Sequence, residues 1–285
     1  MSGLSHAASR EDLERLWPVV ASAHLFETSE EFVRAWQESP WAVRVTASAE
    51  AAVLGPWRAH LGFVAVRGIW CRTHRVPLMI DDLRSVAREH GASHLLGPLV
   101  PDDAVAPYLA AGLIERQRIV VYRMRPAAPA SHSTPAGVSV RAGAREDLEA
   151  VAAIDRACFD GFWRYDAGTL AGYTTSERFA VAESGGRVVG YTLSTVHGVE
   201  ATVGRLAVEP GERHRGIGTA LLEDAVACAA RMGAVAISLC TQEENAESRR
   251  LYRRAGFREA PGRLVSTISE PLQAKESLGE PVERS

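Results

Sequence analysis

The chain has 285 residues, which is long for one compact domain and comfortable for two of roughly 100–150 residues each. A hydrophobic content of 46% suits ordinary globular cores, and a net charge of −3 gives no electrostatic case for nucleic acid. Four cysteines (Cys71, Cys158, Cys228 and Cys240) form no C-x-x-C pair, and no Cys/His cluster has zinc spacing. No metal site is expected, and reduced thiols in a cytoplasmic protein are. Of the 32 basic residues only Lys275 is a lysine, a bias that carries no function.

The N-terminus reads Met1-Ser2-Gly3-Leu4-Ser5-His6, with no basic stretch leading into an apolar core, so no signal peptide is expected. No run approaches the ~18 consecutive apolar residues of a membrane span, and no membrane partner is expected. Residues 79–92, beginning Met79-Ile80-Asp81-Asp82 and ending Gly91-Ala92, align without gaps on 221–234, from Leu221-Leu222-Glu223-Asp224 to Gly233-Ala234. After a two-residue shift, Tyr108-Leu109-Ala110-Ala111-Gly112 aligns on Tyr252-Arg253-Arg254-Ala255-Gly256. Both segments come in the same order, and each is followed by a β-rich ending, 119–124 in the first copy. That pattern argues for an internal duplication.

Residues 126–137 carry three prolines among small residues, which suits neither a helix nor a central strand. This is read as a linker and the domain boundary. A strand over 138–141 and a helix over 145–158 follow. Strands over 179–183 and 187–195 flank Ser184-Gly185-Gly186, where glycine supplies the positive φ of a hairpin turn. A strand over 200–208 leads to a helix over 216–232, whose apolar residues recur at helical spacing. A strand over 234–240, a helix over 245–255 ended by Gly256, and short strands near 257–259 and 264–269 complete the half. Residues 271–285 read as a flexible tail. The class is α+β: two tandem domains, each a mixed, mostly antiparallel sheet flanked by helices.

The chemistry concentrates in Leu206-Ala207-Val208-Glu209-Pro210-Gly211-Glu212-Arg213-His214-Arg215-Gly216-Ile217-Gly218-Thr219, a strand running through a glycine-bearing loop into a helix. The first helical turn has N–H groups without intrahelical partners, and the helix dipole adds positive potential there. Gly216 and Gly218 let backbone approach an anion closely, which makes a diphosphate cradle. Arg213 and Arg215 add charge around it. A lone G-x-G is usually just a turn; the P-loop lysine is missing and G-x-G-x-x-G is not matched, which disfavours nucleotide readings.

This stretch resembles the GNAT acetyltransferase signature [Q/R]-x-x-G-x-[G/A], here Arg213-x-x-Gly216-x-Gly218. A second match is Asn245-Ala246-Glu247-Ser248-Arg249-Arg250-Leu251-Tyr252-Arg253-Arg254-Ala255-Gly256-Phe257. The resemblance covers about 130 residues and implies acetyl-CoA as co-substrate. It puts Arg213, His214, Arg215, Gly216, Ile217, Gly218 and Thr219 at the pyrophosphate, Leu206, Ala207 and Val208 along the pantetheine arm, and Asn245 and Tyr252 beside it. Tyr252 is the implied proton donor to the departing thiolate. The plain alternatives are a packing tyrosine and a helix-capping asparagine. Among GNAT proteins the second half is most similar to the ribosomal-protein alanine N-acetyltransferases, through Ala157-Cys158-Phe159, Trp163 and Glu200-Ala201-Thr202. It departs from them at Cys240, where they carry a glutamate base.

Glu200 is the candidate base, working through water from a face shared with Thr202 and Gly204 if the strand has no bulge. His197, Asp160 and Glu243 are lesser rivals. Phe159, Asp160, Trp163 and Tyr165 are candidates for the acceptor side, or plain core anchors.

In the first half, Cys71-Arg72-Thr73-His74-Arg75-Val76-Pro77-Leu78 stands where the cradle would be. It has no glycine, and Pro77 lacks an N–H. The expectation is a degenerate GNAT-like domain over 1–125, a linker over 126–137 and a catalytic domain over 138–270. Tandem repeats occur in the family, as in mycothiol synthase, although nothing in the sequence is specific to mycothiol chemistry. The expected activity is direct acetyl transfer from acetyl-CoA to a primary amine of a small molecule. The alternatives are a protein N-terminal acetyltransferase and a non-catalytic acyl-CoA-binding regulatory module.

Overall fold

A computed structural model of the chain describes residues 4–58, 60–126, 134–165, 167–172 and 178–272. By packing, the chain divides in two. One unit runs from the N-terminus to Gln117 and takes in the segment that begins at Val265; the other is Arg118–Leu264.

The first unit contains β1 (His6–Ala7), α1 (Arg10–Ser22), α2 (Ser29–Glu38), β2 (Val43–Val45), β3 (Ala51–Trp57) and β4 (His60–Trp70). It continues with α3 (Val76–Glu89), β5 (His94–Leu96), β6 (Val100–Pro101), α4 (Ala106–Ala110) and the start of β7 (Leu113–Met124). Its sheet runs β1-β2-β3-β4-β5, antiparallel except for the parallel pair β4–β5. The position beyond β5 is filled by the last strand among the described residues. Ile268 pairs with Leu96, and the Gly97 N–H donates to the Thr267 carbonyl at 3.0 Å.

The second unit contains the rest of β7, then β8 (Val138–Ala142), α5 (Leu148–Cys158), α6 (Ala167–Gly172), β9 (Arg178–Ser184), β10 (Arg187–His197) and β11 (Glu200–Val208). After these come α7 (Ile217–Arg231), β12 (Ala236–Gln242), α8 (Ala246–Arg254) and β13 (Arg258–Glu259); β14 (Leu264–Ser269) then leads out of it. Its sheet runs β7-β12-β11-β10-β9-β8, antiparallel except for β11–β12. Among the described residues, the main path of each unit's sheet thus runs through six strands in the same order, with one parallel pair at the same place. This is the mixed α+β architecture expected of two tandem GNAT-like domains.

The structure departs from the expected organisation at the two last strands. Residues 119–124, the β-rich ending of the first copy, pair with Ile237–Gln242 of the second unit. The strand that ends the second copy lies in the first unit. The division by packing therefore falls between Gln117 and Arg118, ahead of the proline-rich stretch. A strand is assigned by its hydrogen-bonding partner, and the partner is distant in sequence.

Packing accounts for the elements that flank the second unit's sheet. α7 buries Leu222, Ala225 and Ala229 against Ala201, Val203, Ile237 and Leu239, and Ile217 and Leu221 against Val138, Ala182 and Val189, on one face. α5 buries Val151 and Ile154 against Val181, Tyr191, Leu193 and Ala207 on the other. In the first unit, Trp17, Phe26, Phe32, Trp36 and Trp70 pack into one cluster with Leu13 and Val53. Those aromatics build the unit's own core.

Candidate functional site

The ladder between β11 and β12 is short. It pairs Glu200 with Ala236 and ends at Val203 with Leu239. Beyond that point β11 continues to Val208, bonded on its other side to β10 through Leu206–Thr192, Ala207–Tyr191 and Val208–Gly190. β12 continues to Gln242, bonded to β7. The two parallel strands therefore part at Val203/Leu239, and Leu206, Ala207 and Val208 line the β11 side of the opening.

The bulge sits at the same place. Leu193 opposes Arg205 while Ser194 opposes Val203, so Gly204 is the extra residue. It shifts the alternation by one. Ala201, Val203 and Leu206 pack with the α7 side, whereas Ala207 packs with α5. The expected face of Glu200, Thr202 and Gly204 is thus interrupted at Gly204, and Arg205 continues the line of Thr202. Glu200 is exposed at the start of β11, about 10 Å along the strand from Val203 at ~3.3 Å per residue.

The loop after β11 makes a short 3-10 turn at Pro210–Glu212 and passes through His214 at φ 63° and Gly216 at φ 81°. Gly216 is the N-cap of α7, and no side chain caps that end. The first intrahelical bond in this turn is Ala220 N–H to the Gly216 carbonyl, at 3.0 Å. The backbone N–H groups of Ile217, Gly218 and Thr219 precede it, in the positions a helix cannot satisfy itself. A Cβ on Gly216 would stand 3.1 Å from Pro135 Cγ. Arg213 donates from Nε to the Val208 carbonyl at 3.4 Å, Arg215 pairs with Glu212, and Arg213 and His214 face Glu247 at 3.8 and 3.4 Å. The cations around the turn are thus matched by surface carboxylates, which water screens.

Tyr252 lies buried on α8, edge-on to Tyr122 with ring centroids 5.6 Å apart and tilted against Phe257 at 6.3 Å. Burial pushes its hydroxyl up to about 12, opposed by a hydrogen bond from Ser248 one turn earlier; Cys240 and Tyr122 nearby push it further up. Asn245 caps α8, its Oδ1 accepting from the Ser248 N–H at 3.1 Å, so capping is one role it performs. Cys240 is exposed on β12, one residue past the end of the ladder. Glu243 is held by Arg263 at 2.6 Å, and Asp160 caps a 3-10 turn by accepting from the Trp163 N–H at 3.0 Å. The structure therefore gathers Leu206–Val208, the 213–219 turn, Asn245 and Tyr252 around the parted strands, and leaves Glu200 at the strand's far end.

In the first unit the corresponding helix is built differently. α3 starts at Val76, its N-cap Arg75 has right-handed helical φ/ψ, and Pro77 stands in its first turn. Arg75 is paired with Glu50 at 2.7 Å. None of the described residues between Cys71 and Leu78 has a positive φ.

A parted parallel pair beside a helix led by a left-handed glycine is the arrangement that the sequence motifs imply. Comparison with known proteins agrees: residues 148–257 match the model of the Acetyltransferase (GNAT) family. The chain carries a GNAT acetyltransferase domain. Two curated relatives are each named mycothiol acetyltransferase. One, from Clavibacter michiganensis subsp. michiganensis, is 37% identical over 78 residues, 27% of this chain and 26% of the relative. The other, from Clavibacter sepedonicus, is 29% identical over 135 residues, 44% of each. The matches thus span less than half the length of these relatives. Among solved structures, a GCN5-related N-acetyltransferase from Sphaerobacter thermophilus superposes with a TM-score of 0.67 at 21% identity, over 94% of this chain and 95% of that one. A tandem GNAT protein from the clavulanic acid biosynthesis pathway has a TM-score of 0.61 at 17% identity, over 81% and 82%. These structures share the fold.

Sequence reasoning passed over Ser248, although its i, i+4 spacing to Tyr252 is visible in the chain. It also passed over Asp155, Tyr191 and Arg205, which meet only in the folded domain.

Proposed function

We propose that the second unit transfers an acetyl group from acetyl-CoA to a primary amine of a small molecule. The observation that carries this reading is the parting of β11 and β12 at Val203/Leu239, next to the uncapped, glycine-led first turn of α7. An extended thioester arm fits between the strands, with backbone groups of Leu206, Ala207 and Val208 as partners. The diphosphate fits on the N–H groups of Ile217, Gly218 and Thr219, with Arg213, His214 and Arg215 around it. Asn245 borders the arm.

The amine attacks the thioester carbonyl, and backbone N–H groups near Leu206–Val208 stabilise the developing oxyanion. The carbon–sulfur bond then breaks, and Tyr252 gives its proton to the leaving thiolate. The amine proton leaves to solvent water in the opening, because Glu200, the candidate base, stands about 10 Å along β11 from Val203, where the strands part. Positioning of amine and thioester supplies much of the acceleration. The relatives named mycothiol acetyltransferase favour a small-molecule acceptor over a protein N-terminus. A CoA-release assay on a panel of small amines and peptides tests the proposal. Turnover of small amines supports it, turnover of peptides alone selects the protein N-terminal alternative, and binding without turnover selects a regulatory acyl-CoA module.

The cofactor is expected to bind once per chain, because α3 lacks both the glycine and the free N–H that α7 offers. Calorimetric titration with acetyl-CoA should give a stoichiometry of one; two would refute the asymmetry of the repeats. Gly216→Val should weaken binding by tenfold or more, since a β-branched residue at positive φ costs about 1–3 kcal/mol or rearranges the turn. The 3.1 Å approach to Pro135 adds to that cost.

A further inference from the structure

Arg205 is almost fully buried, and the bulge at Gly204 turns it to the α5 side of the sheet. There its Nε donates to Asp155 Oδ2 at 2.8 Å, and its Nη2 lies 2.6 Å from the same oxygen. Asp155 is wholly buried on α5 and also accepts from the Tyr191 hydroxyl at 2.5 Å. Its Oδ1 accepts the Tyr165 backbone N–H at 2.9 Å. The guanidinium carbon lies 3.4 Å from the ring centroid of Phe159 and 4.2 Å from that of Tyr165. Burial beside Asp155 pushes the Tyr191 hydroxyl far up, so it remains a neutral donor.

A buried ion pair contributes little net stability, because desolvation offsets most of the attraction. What this one contributes is geometry. Arg205 immediately precedes Leu206, Ala207 and Val208, which line the parted strands. The groups it holds belong to the end of α5 and the segment after it, on the face opposite α7. A planar guanidinium packed on two rings fixes orientation as well as distance.

We infer that Arg205, neutralised by Asp155, is a positioning residue that locks the Phe159–Tyr165 segment as one wall of the acceptor seat, in register with the thioester end of the strand opening. The inference rests on the acetyl-transfer reading. Arg205 touches neither substrate; it acts through Asp155, Phe159 and Tyr165.

Arg205→Lys in the full chain keeps the charge and removes the planar face. With an amine turned over by the wild type, acceptor KM should rise by roughly tenfold or more, the scale on which small misplacements act. Acetyl-CoA affinity by calorimetry should hold. Hydrogen exchange at the Tyr165 amide should quicken while the amides of α7 keep their protection. An unchanged acceptor KM overturns the inference. So does a fall in acetyl-CoA affinity that matches the rise in acceptor KM, because Arg205 would then only support its strand. If Arg205→Lys does not fold, Phe159→Leu decides: it leaves the ion pair intact and should raise acceptor KM with acetyl-CoA affinity retained, and an unchanged KM there is equally fatal. If the wild type releases CoA with no amine, the acetyl-transfer reading itself has failed before any variant is made, and this inference falls with it.

Discussion

A chain spanning Gly137 to Leu264 should fail to fold cooperatively, whereas one spanning Arg118 to Leu264 should unfold in a single transition. The difference between them includes the six residues Ile119 to Met124, which pair with Ile237–Gln242 and complete the second unit's sheet. Ile119, Val120 and Tyr122 are buried there, the last two completely. Burying each such side chain is worth about 1.5–3 kcal/mol. Losing three together approaches the whole margin of a domain, which is on the order of 5–15 kcal/mol. The deletion also bares the edge of β12 and removes Tyr122 from beside Tyr252. Circular dichroism melts and size-exclusion chromatography of both chains would test this. A Gly137 chain that melts cooperatively at the temperature of the Arg118 chain would show the borrowed strand to be dispensable.

The linker, read as the domain boundary, gives no sign of this dependence. Three prolines among alanines and serines mark a stretch that joins no sheet, and a boundary placed there is sound as local physics. Strand exchange is not local. Residues 119–124 have the same alternation whichever sheet receives them, and only the partner's identity decides. The large aromatics of the first half carry a similar lesson. Trp17, Phe26, Phe32, Trp36, Trp41, Phe63 and Trp70 signal buried surface, but their spacing does not say against what; five of them join one internal cluster, Trp41 packs against a second, and Phe63 meets His94.

Local signals fared well for the same reason. β11 occupies residues 200–208 as expected, and α7 begins one residue after Gly216, where a left-handed cap ends the loop. The bulge at Gly204 was not legible. A single glycine in a strand can be a bulge or a close approach, and the choice depends on the register with β10. Its consequence is large, because it turns Arg205 toward Asp155, fifty residues earlier in the chain. Tyr191, Asp155 and Arg205 each read alone as an ordinary polar residue. Their meaning comes from meeting in a buried site, where the Tyr191 hydroxyl and Arg205 Nε both donate to Asp155 Oδ2.

Tyr252→Phe should lower kcat by ~10²–10⁴-fold, the usual worth of a positioned general acid, with acetyl-CoA affinity nearly unchanged. The ring keeps its place between Tyr122 and Phe257, so the packing loss is small. What disappears is the proton for the thiolate and the hydrogen bond with Ser248. A hydroxyl raised to about 12 by burial stays protonated throughout the physiological range. The acid limb of wild-type activity therefore belongs to other groups, and loss of the Tyr252 proton appears only toward pH 12. The same shift stabilises the fold below the unfolded tyrosine value near ~10, and that contribution disappears as pH rises from there to about 12. Ser248→Ala should leave the ring in place and lower kcat less than Tyr252→Phe, because it removes orientation and keeps the acid. Single-turnover measurements isolate the chemical step from product release. A Tyr252→Phe chain with wild-type single-turnover rate and wild-type affinity would make Tyr252 a core residue, and the proton for the thiolate would have to come from elsewhere along the parted strands.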